Sequence, residues 1–179
     1  MARKRNQATR TVYIPRNPKK YKGSYPIILR SRWEIAFAQF CDLSEGVIEW
    51  ASEPLQIPYR NPIKGRQSVY VPDFMICYKK KDGTIVKELI EIKPAREALL
   101  EMSKTPRDIQ ARILNEAKWL AAQAWCQRKG IKFRVLTENE LFGSVGPPKG
   151  PKKVPSSSNS KISSTKKVAT NNKKTKRRK

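Results

Sequence analysis

The chain has 179 residues, 39 Lys and Arg against 15 Asp and Glu, and a formal net charge of +24, which suits one ordinary domain with tails and a polyanionic partner. The absence of histidine excludes Ser-His-Asp and Cys-His chemistry, histidine-based nucleases and the usual histidine zinc sites. Cys41, Cys77 and Cys126 are odd in number and lack close pairing, which favours free buried thiols over a disulfide or zinc framework, and no apolar run approaches the roughly twenty residues of a membrane span or follows the basic N-terminus as a signal peptide requires.

The charge is concentrated at the ends. Residues 1–32 carry ten basic and no acidic side chains, and residues 144–179 carry twelve and none. The remaining 33–143 hold seventeen basic and all fifteen acidic residues, a net of +2. A near-neutral body sits between basic arms, and the composition divides into an extended arm over 1–26, a folded domain over 27–143 and a low-complexity tail over 144–179.

In chain order, Pro15, Pro18 and Pro26 argue for an extended or loosely ordered start. A helix is predicted from about Ser31 to Cys41, burying Trp33, Phe37 and Phe40 on one stripe. Val47–Ala51 and Leu55–Tyr59 read as short strands, with a loop around Asn61-Pro62 and Gly65. Val69–Tyr78 and Ile85–Lys93 read as the strands of a hairpin, ended by Pro94. A long helix follows from about Arg107 to Lys129, with Ile109, Ile113, Ala117, Leu120, Ala121, Ala124 and Trp125 at helical spacing and Gly130 as its stop. Ile131–Leu136 is a last strand, and Thr137 with Glu140 forms a capping box for a short helix. Beyond Gly143 the Pro, Ser, Asn and Lys composition cannot build a core, so the tail is expected to be disordered alone. This order implies an α/β fold with a mixed central sheet flanked by helices.

The hairpin carries the chemistry. Lys81-Asp82-Gly83 is a turn signal, with Gly83 suited to a positive φ. With the loop centred on Asp82, positions summing to 164 face each other. Asp73 then lies opposite Glu91, and Lys93 points to the same face. Like charges so placed repel by about 4 kcal/mol at roughly 4 Å and an effective dielectric near 20. A divalent cation reverses that sign. Mg²⁺ takes oxygen ligands, usually one or two carboxylates with waters and substrate phosphate, and Mn²⁺ is a possible substitute. Asp73 and Glu91 are therefore candidate ligands, with the Ile92 carbonyl a third oxygen. Lys93 could position or deprotonate an attacking water, stabilise charge on phosphorus, or serve as counter-ion to Glu91. The flanks, Phe74, Ile76, Tyr78, Ile90 and Ile92 alternating with Met75, Cys77 and Leu89, imply burial on both faces, where an acid pair is seldom placed for solubility.

Glu34 has two readings: a cap for the helix opened by Ser31, or a further acidic ligand projecting toward the hairpin. Gln110 and Lys118 could reach a DNA backbone from the long helix, or form a solvated face. Glu49 and Glu53 read as surface groups. Trp33, Trp50, Trp119 and Trp125 read as core.

Pro72-Asp73 followed by Glu91-Ile92-Lys93 resembles the signature of the PD-(D/E)xK nuclease superfamily, whose members share a restriction-endonuclease-like core. That resemblance implies a catalytic set of Glu34, Asp73, Glu91 and Lys93. The ordered blocks Pro15–Tyr21, Arg30–Glu34, Val47–Trp50, Val71–Phe74, Ile90–Pro94 and Asn115–Trp119 are similar to head-completion nucleases of large tailed phages across about residues 13–142. The endonuclease subunit of heteromeric transposases looks similar over the motif but less so before it. The resemblance implies Mg²⁺-dependent DNA hydrolysis leaving a 5′ phosphate, after genome packaging and before tail attachment, alongside portal or neck proteins, in the virion or the infected host cytoplasm.

The arms suggest sequence-independent, salt-sensitive DNA binding, since each neutralised phosphate steepens the salt dependence. The rival functions are a non-catalytic DNA-holding protein of the capsid portal or neck, a transposase-type endonuclease subunit and a basic RNA-binding accessory, and the bland reading of the tail is a nuclear-localisation-like segment.

Overall fold

Two three-residue strands open the fold: β1 (Thr11–Tyr13) pairs antiparallel with β2 (Ile27–Leu29). The computed structural model describes residues 10–98 and 105–143. The prolines before Pro26 suggest a loose arm, but from Thr11 onward the chain is pinned. Its anchor is Asp42, fully buried, which accepts the Tyr13 hydroxyl at 3.1 Å and the Arg16 and Asn17 amides at 2.7 and 2.9 Å. Asn17 Nδ2 and Lys20 Nζ close on the Asp42 carbonyl. The Pro15–Tyr21 block is thus held by a carboxylate from the following helix, a long-range contact that local proline content does not reveal.

That helix, α1 (Arg32–Leu43), starts where Ser31 Oγ accepts the Glu34 amide at 3.1 Å. It buries Phe37, Ala38 and Cys41. Phe40, expected on the same stripe, is 55% exposed, because the sheet meets the helix along 37, 38 and 41 and leaves position 40 beside the contact.

The central sheet has the order β3-β6-β7-β8, from β3 (Val47–Ser52), β6 (Phe74–Lys79), β7 (Ile85–Ile92) and β8 (Lys132–Leu136). The first three run antiparallel, and β8 lies parallel to β7, so the sheet is mixed as expected. Between β3 and β6 the chain forms a separate ribbon, β4 (Ile57–Asn61) paired with β5 (Arg66–Tyr70). A single strand over Val69–Tyr78 is therefore wrong. Pro72, fully buried, has no N–H to give a ladder, and the chain changes sheets there.

After β7 come a one-turn helix α2 (Ala95–Ala98), the long α3 (Pro106–Lys129) and, past β8, α4 (Glu138–Phe142). Thr105 and Asp108 form a capping box for α3, and Gly130 ends it at φ +68°. The Thr137–Glu140 box opens α4 as its spacing requires. No described helix is long and apolar enough to cross a membrane.

Two cores flank the sheet. One gathers Tyr21, Ile27, Leu29, Phe37, Trp50, Phe74, Ile90 and Ile92 under α1 and the β1–β2 pair. The other joins Leu89 to Ile57, Tyr59 and Tyr70 of the ribbon and to Ala122 and Cys126 of α3. Ile109, Ile113 and Leu120, expected inside, are 49, 42 and 61% exposed. The helix is apolar around a wide arc, and the sheet and ribbon cover only the side carrying Asn115, Ala122 and Cys126. All three thiols are free and buried.

Candidate active site

The register of the β6–β7 hairpin is the one that symmetry about Asp82 requires. Phe74 pairs with Ile90, Met75 with Leu89, and so on to Lys79 with Ile85. Gly83 takes φ +86° in the turn. Extending the ladder by one residue sets Asp73, just before β6, against Glu91. The two strands are tied at this point, for the Ile92 amide donates to Asp73 Oδ2 at 2.7 Å.

Glu91 lies on the α3 side of the sheet, with its side chain only 4% exposed. Its two oxygens are held differently. Oε2 accepts the Tyr70 hydroxyl at 2.7 Å, and Oε1 meets Lys93 Nζ at 3.1 Å. Burial and the Glu91 charge push the Tyr70 phenol far above its usual range, so Tyr70 remains a donor. Burial alone would lower the Lys93 ammonium, but the Glu91 and Asp73 carboxylates outweigh it and raise its pKa. Lys93 is therefore a fixed cation here.

Asp73 pays for this arrangement. Burial, then the facing Glu91, push its carboxyl up to about 8, against the Ile92 amide and Lys93, which favour the charged form. Two facing carboxyl groups with one ammonium beside them are an arrangement that a further cation would relieve. The donors around it are hard oxygens, which suit Mg²⁺ or Mn²⁺ and not a soft metal.

Glu34 accepts a backbone amide at the start of α1 and lies near the hairpin acids. Its Oε2 accepts the Arg30 amide at 2.8 Å, one residue before the cap, and its charge is near enough to Asp73 to raise that carboxyl. It does not complete a cage of side chains: among the described residues no three His, Cys, Asp or Glu side chains converge as a metal-binding group.

Several contributors are not evident from the motif. Tyr70 is one, hidden while residues 69–78 read as a single strand. Lys118 is another: it is half-buried, with Nζ 5.8 Å from the Tyr70 ring centroid, and burial and Lys93 lower its pKa while Glu91 and Asp73 oppose that. Gln110, its companion in the sequence reading, is simply exposed. Glu53 is a third. Its amide donates to the Asp73 carbonyl at 2.9 Å, its φ is +47°, and its carboxylate pairs with the Arg30 guanidinium. Non-glycine residues at such φ values carry strain and cluster at functional sites. Glu49 faces Lys22 at 3.9 Å. Trp50 is core, and Trp33, Trp119 and Trp125 are partly buried against it or its counterpart.

The chain is similar to known endonucleases. The family described as "TnsA-like endonuclease N terminal" matches residues 44–138, a span containing Asp73, Glu91, Lys93 and Lys118 but not Glu34. The "Head completion nuclease" of Enterobacteria phage T4 is 35% identical over 140 residues, covering 72% of this chain and 91% of that protein.

Proposed function

The chain belongs to the TnsA-like endonuclease N-terminal family, and from that premise we propose that it is a Mg²⁺-dependent DNA endonuclease acting in phage head completion. The observation that carries the reading is the half-buried Asp73 set against the buried Glu91, with Lys93 Nζ 3.1 Å from Glu91 Oε1. A purely structural DNA-holding protein gains nothing from that repulsion, and neither does an RNA-binding accessory.

Asp73, Glu91 and the Ile92 carbonyl would hold the ion, with Mn²⁺ able to replace Mg²⁺. A bound Mg²⁺ supplies Lewis acidity at the phosphoryl oxygen and lowers the pKa of water. The protein's own groups do the rest. The Ile92 amide fixes one Asp73 oxygen, and the Tyr70 hydroxyl fixes one Glu91 oxygen, so both carboxylates are oriented before substrate arrives. Protonated Lys93 faces the charge that develops on the phosphorus oxygens, a role its raised pKa favours over that of general base. Lys118 adds a second positive charge from α3. Glu34, held by the Arg30 amide, orients solvent at the Asp73 side. Water displaces the 3′ oxygen and leaves a 5′ phosphate.

The head-completion setting, portal or neck partners, and residence in the virion or infected host cytoplasm follow the phage relative. The basic arms add sequence-independent phosphate contacts, and removing residues 144–179 flattens the salt dependence of DNA binding.

The test is cleavage of linear and circular DNA with Mg²⁺ and with chelator. Activity that requires the metal and disappears in Asp73→Ala and Lys93→Ala supports the assignment. Wild-type rates in both variants would overturn it.

A further inference from the structure

Residues 54–72 contain Arg60, Lys64 and Arg66 and no acidic side chain. All three cations are exposed on the β4–β5 ribbon, and so are Pro62, Ile63, Gly65 and Gln67 around its tip. The tip is rigidly built. Asn61 is 4% exposed, and its Oδ1 accepts the amides of Ile63 and Lys64 at 2.9 and 3.0 Å. Its Nδ2 donates to the Tyr59 hydroxyl at 3.3 Å, and the Gly65 amide closes on its carbonyl at 2.9 Å with φ +63°. The turn so fixed displays Ile63, 52% exposed, among lysine and arginine.

The ribbon is sided. Ile57, Tyr59 and Tyr70 face α3 and the sheet, whereas the cross-strand pairs Pro58–Val69 and Arg60–Gln67 face outward and are exposed. At its base Tyr70 holds Glu91. From Tyr70 to Arg66 the strand advances four residues, roughly 13 Å. The major groove of B-DNA is about 12 Å wide and admits a two-stranded β-ribbon.

Given the nuclease reading above, on which this rests, we propose that the β4–β5 ribbon lies in the major groove of duplex DNA beside the cleaved phosphate. Arg60, Lys64 and Arg66 meet flanking backbone phosphates, and Ile63 faces the groove floor. The ordered ribbon, not the basic arms, then sets the duplex over Asp73 and Glu91. The arms supply attraction, and the ribbon supplies position.

The experiment uses the full chain and an R60A/K64A/R66A variant, whose altered side chains are all exposed; equal thermal midpoints establish that both fold. Binding to a short duplex and to its single strand is followed by anisotropy across a salt series in chelator. The duplex slope of log affinity on log salt becomes shallower by about 2–3, as three lost contacts require, while the single strand, which has no groove, changes less. An R60K/R66K variant keeps the wild-type slope. With Mg²⁺, duplex KM rises by about tenfold or more, while hydrolysis of bis(4-nitrophenyl) phosphate, too small to reach the ribbon, is unchanged. An unaltered duplex slope, or an equal loss on single strands, overturns the groove placement. If the wild type hydrolyses neither substrate but the duplex slope still drops, the nuclease assignment fails and the ribbon stands. If DNA is cut normally and the slope is unchanged, the ribbon alone falls.

Discussion

Two aspartates in this molecule, one fully buried and one half-buried, have opposite surroundings. Asp42 sits under the N-terminal segment and receives a hydroxyl and two backbone amides. Asp73 sits at the mouth of the hairpin, receives one amide, and faces Glu91. The first carboxylate is supplied with donors that fasten one stretch of chain to another. The second has fewer donors, with Lys93 as a neighbouring positive charge, and a cation would relieve its repulsion from Glu91. Counting donors against charge separates an acid that fastens the fold from one that we propose holds a cation.

The sharpest break between the two sites is in catalysis. Asp73→Ala should lower the rate of Mg²⁺-dependent DNA cleavage by at least about 100- to 1,000-fold, whereas Asp42→Ala should leave the single-turnover rate of folded protein unchanged. Equal losses in the two variants would erase the distinction.

Stability should reverse the order. Asp42→Ala leaves three donors without their acceptor, at a cost of about 3 kcal/mol or more. That corresponds to a fall in Tm of roughly 6–12 °C by calorimetry. In chelator, Asp73→Asn should instead raise Tm, because it removes charge that the fold opposes.

The pH dependence of that gain has a definite sign. The folded-state pKa of Asp73, about 8, lies above its ordinary value of 3.8, so the native state holds a proton that the unfolded chain releases. The contribution from its neutral form is complete below about pH 4 and is lost as pH climbs through 8. The Tm difference between Asp73→Asn and wild type should therefore widen from pH 4 to 8 without metal, and saturating Mg²⁺ should close it by stabilising only the wild type. A difference that is flat across this range would refute the account.

Tyr70→Phe is the finest test. It removes one hydrogen bond to Glu91, costs about 1 kcal/mol of stability and, by loosening that carboxylate, lowers cleavage by about tenfold without changing which metal is required. Unchanged cleavage would mean that Glu91 is positioned by the sheet alone.

The sequence discloses the acid pair because the hairpin is symmetric about a short turn: Asp82 and Gly83 set the centre, and the alternation of Phe74, Ile76, Ile90 and Ile92 sets the faces. Caps are equally local, which is why Ser31 and Thr137 open helices at or near their expected places. Tyr70 and Asp42 escape for the converse reason. Each acts on residues far along the chain, and their neighbours carry no sign of it. Pro72 does carry a sign. A proline within an otherwise continuous run of strand-forming residues argues against one strand, and weighing it would have separated the ribbon from β6 and brought Tyr70 into view.

The pairing about Asp82 makes the alignment of Asp73 with Glu91 a matter of parity. One residue added inside β6 or β7 would swing one acid through to the α1 side, among Phe37 and Ile90, and strand its partner. One residue added to the loop at 81–83 would lengthen the bend and leave both acids together. Length variation in this hairpin is thus tolerable at its tip and ruinous along its arms.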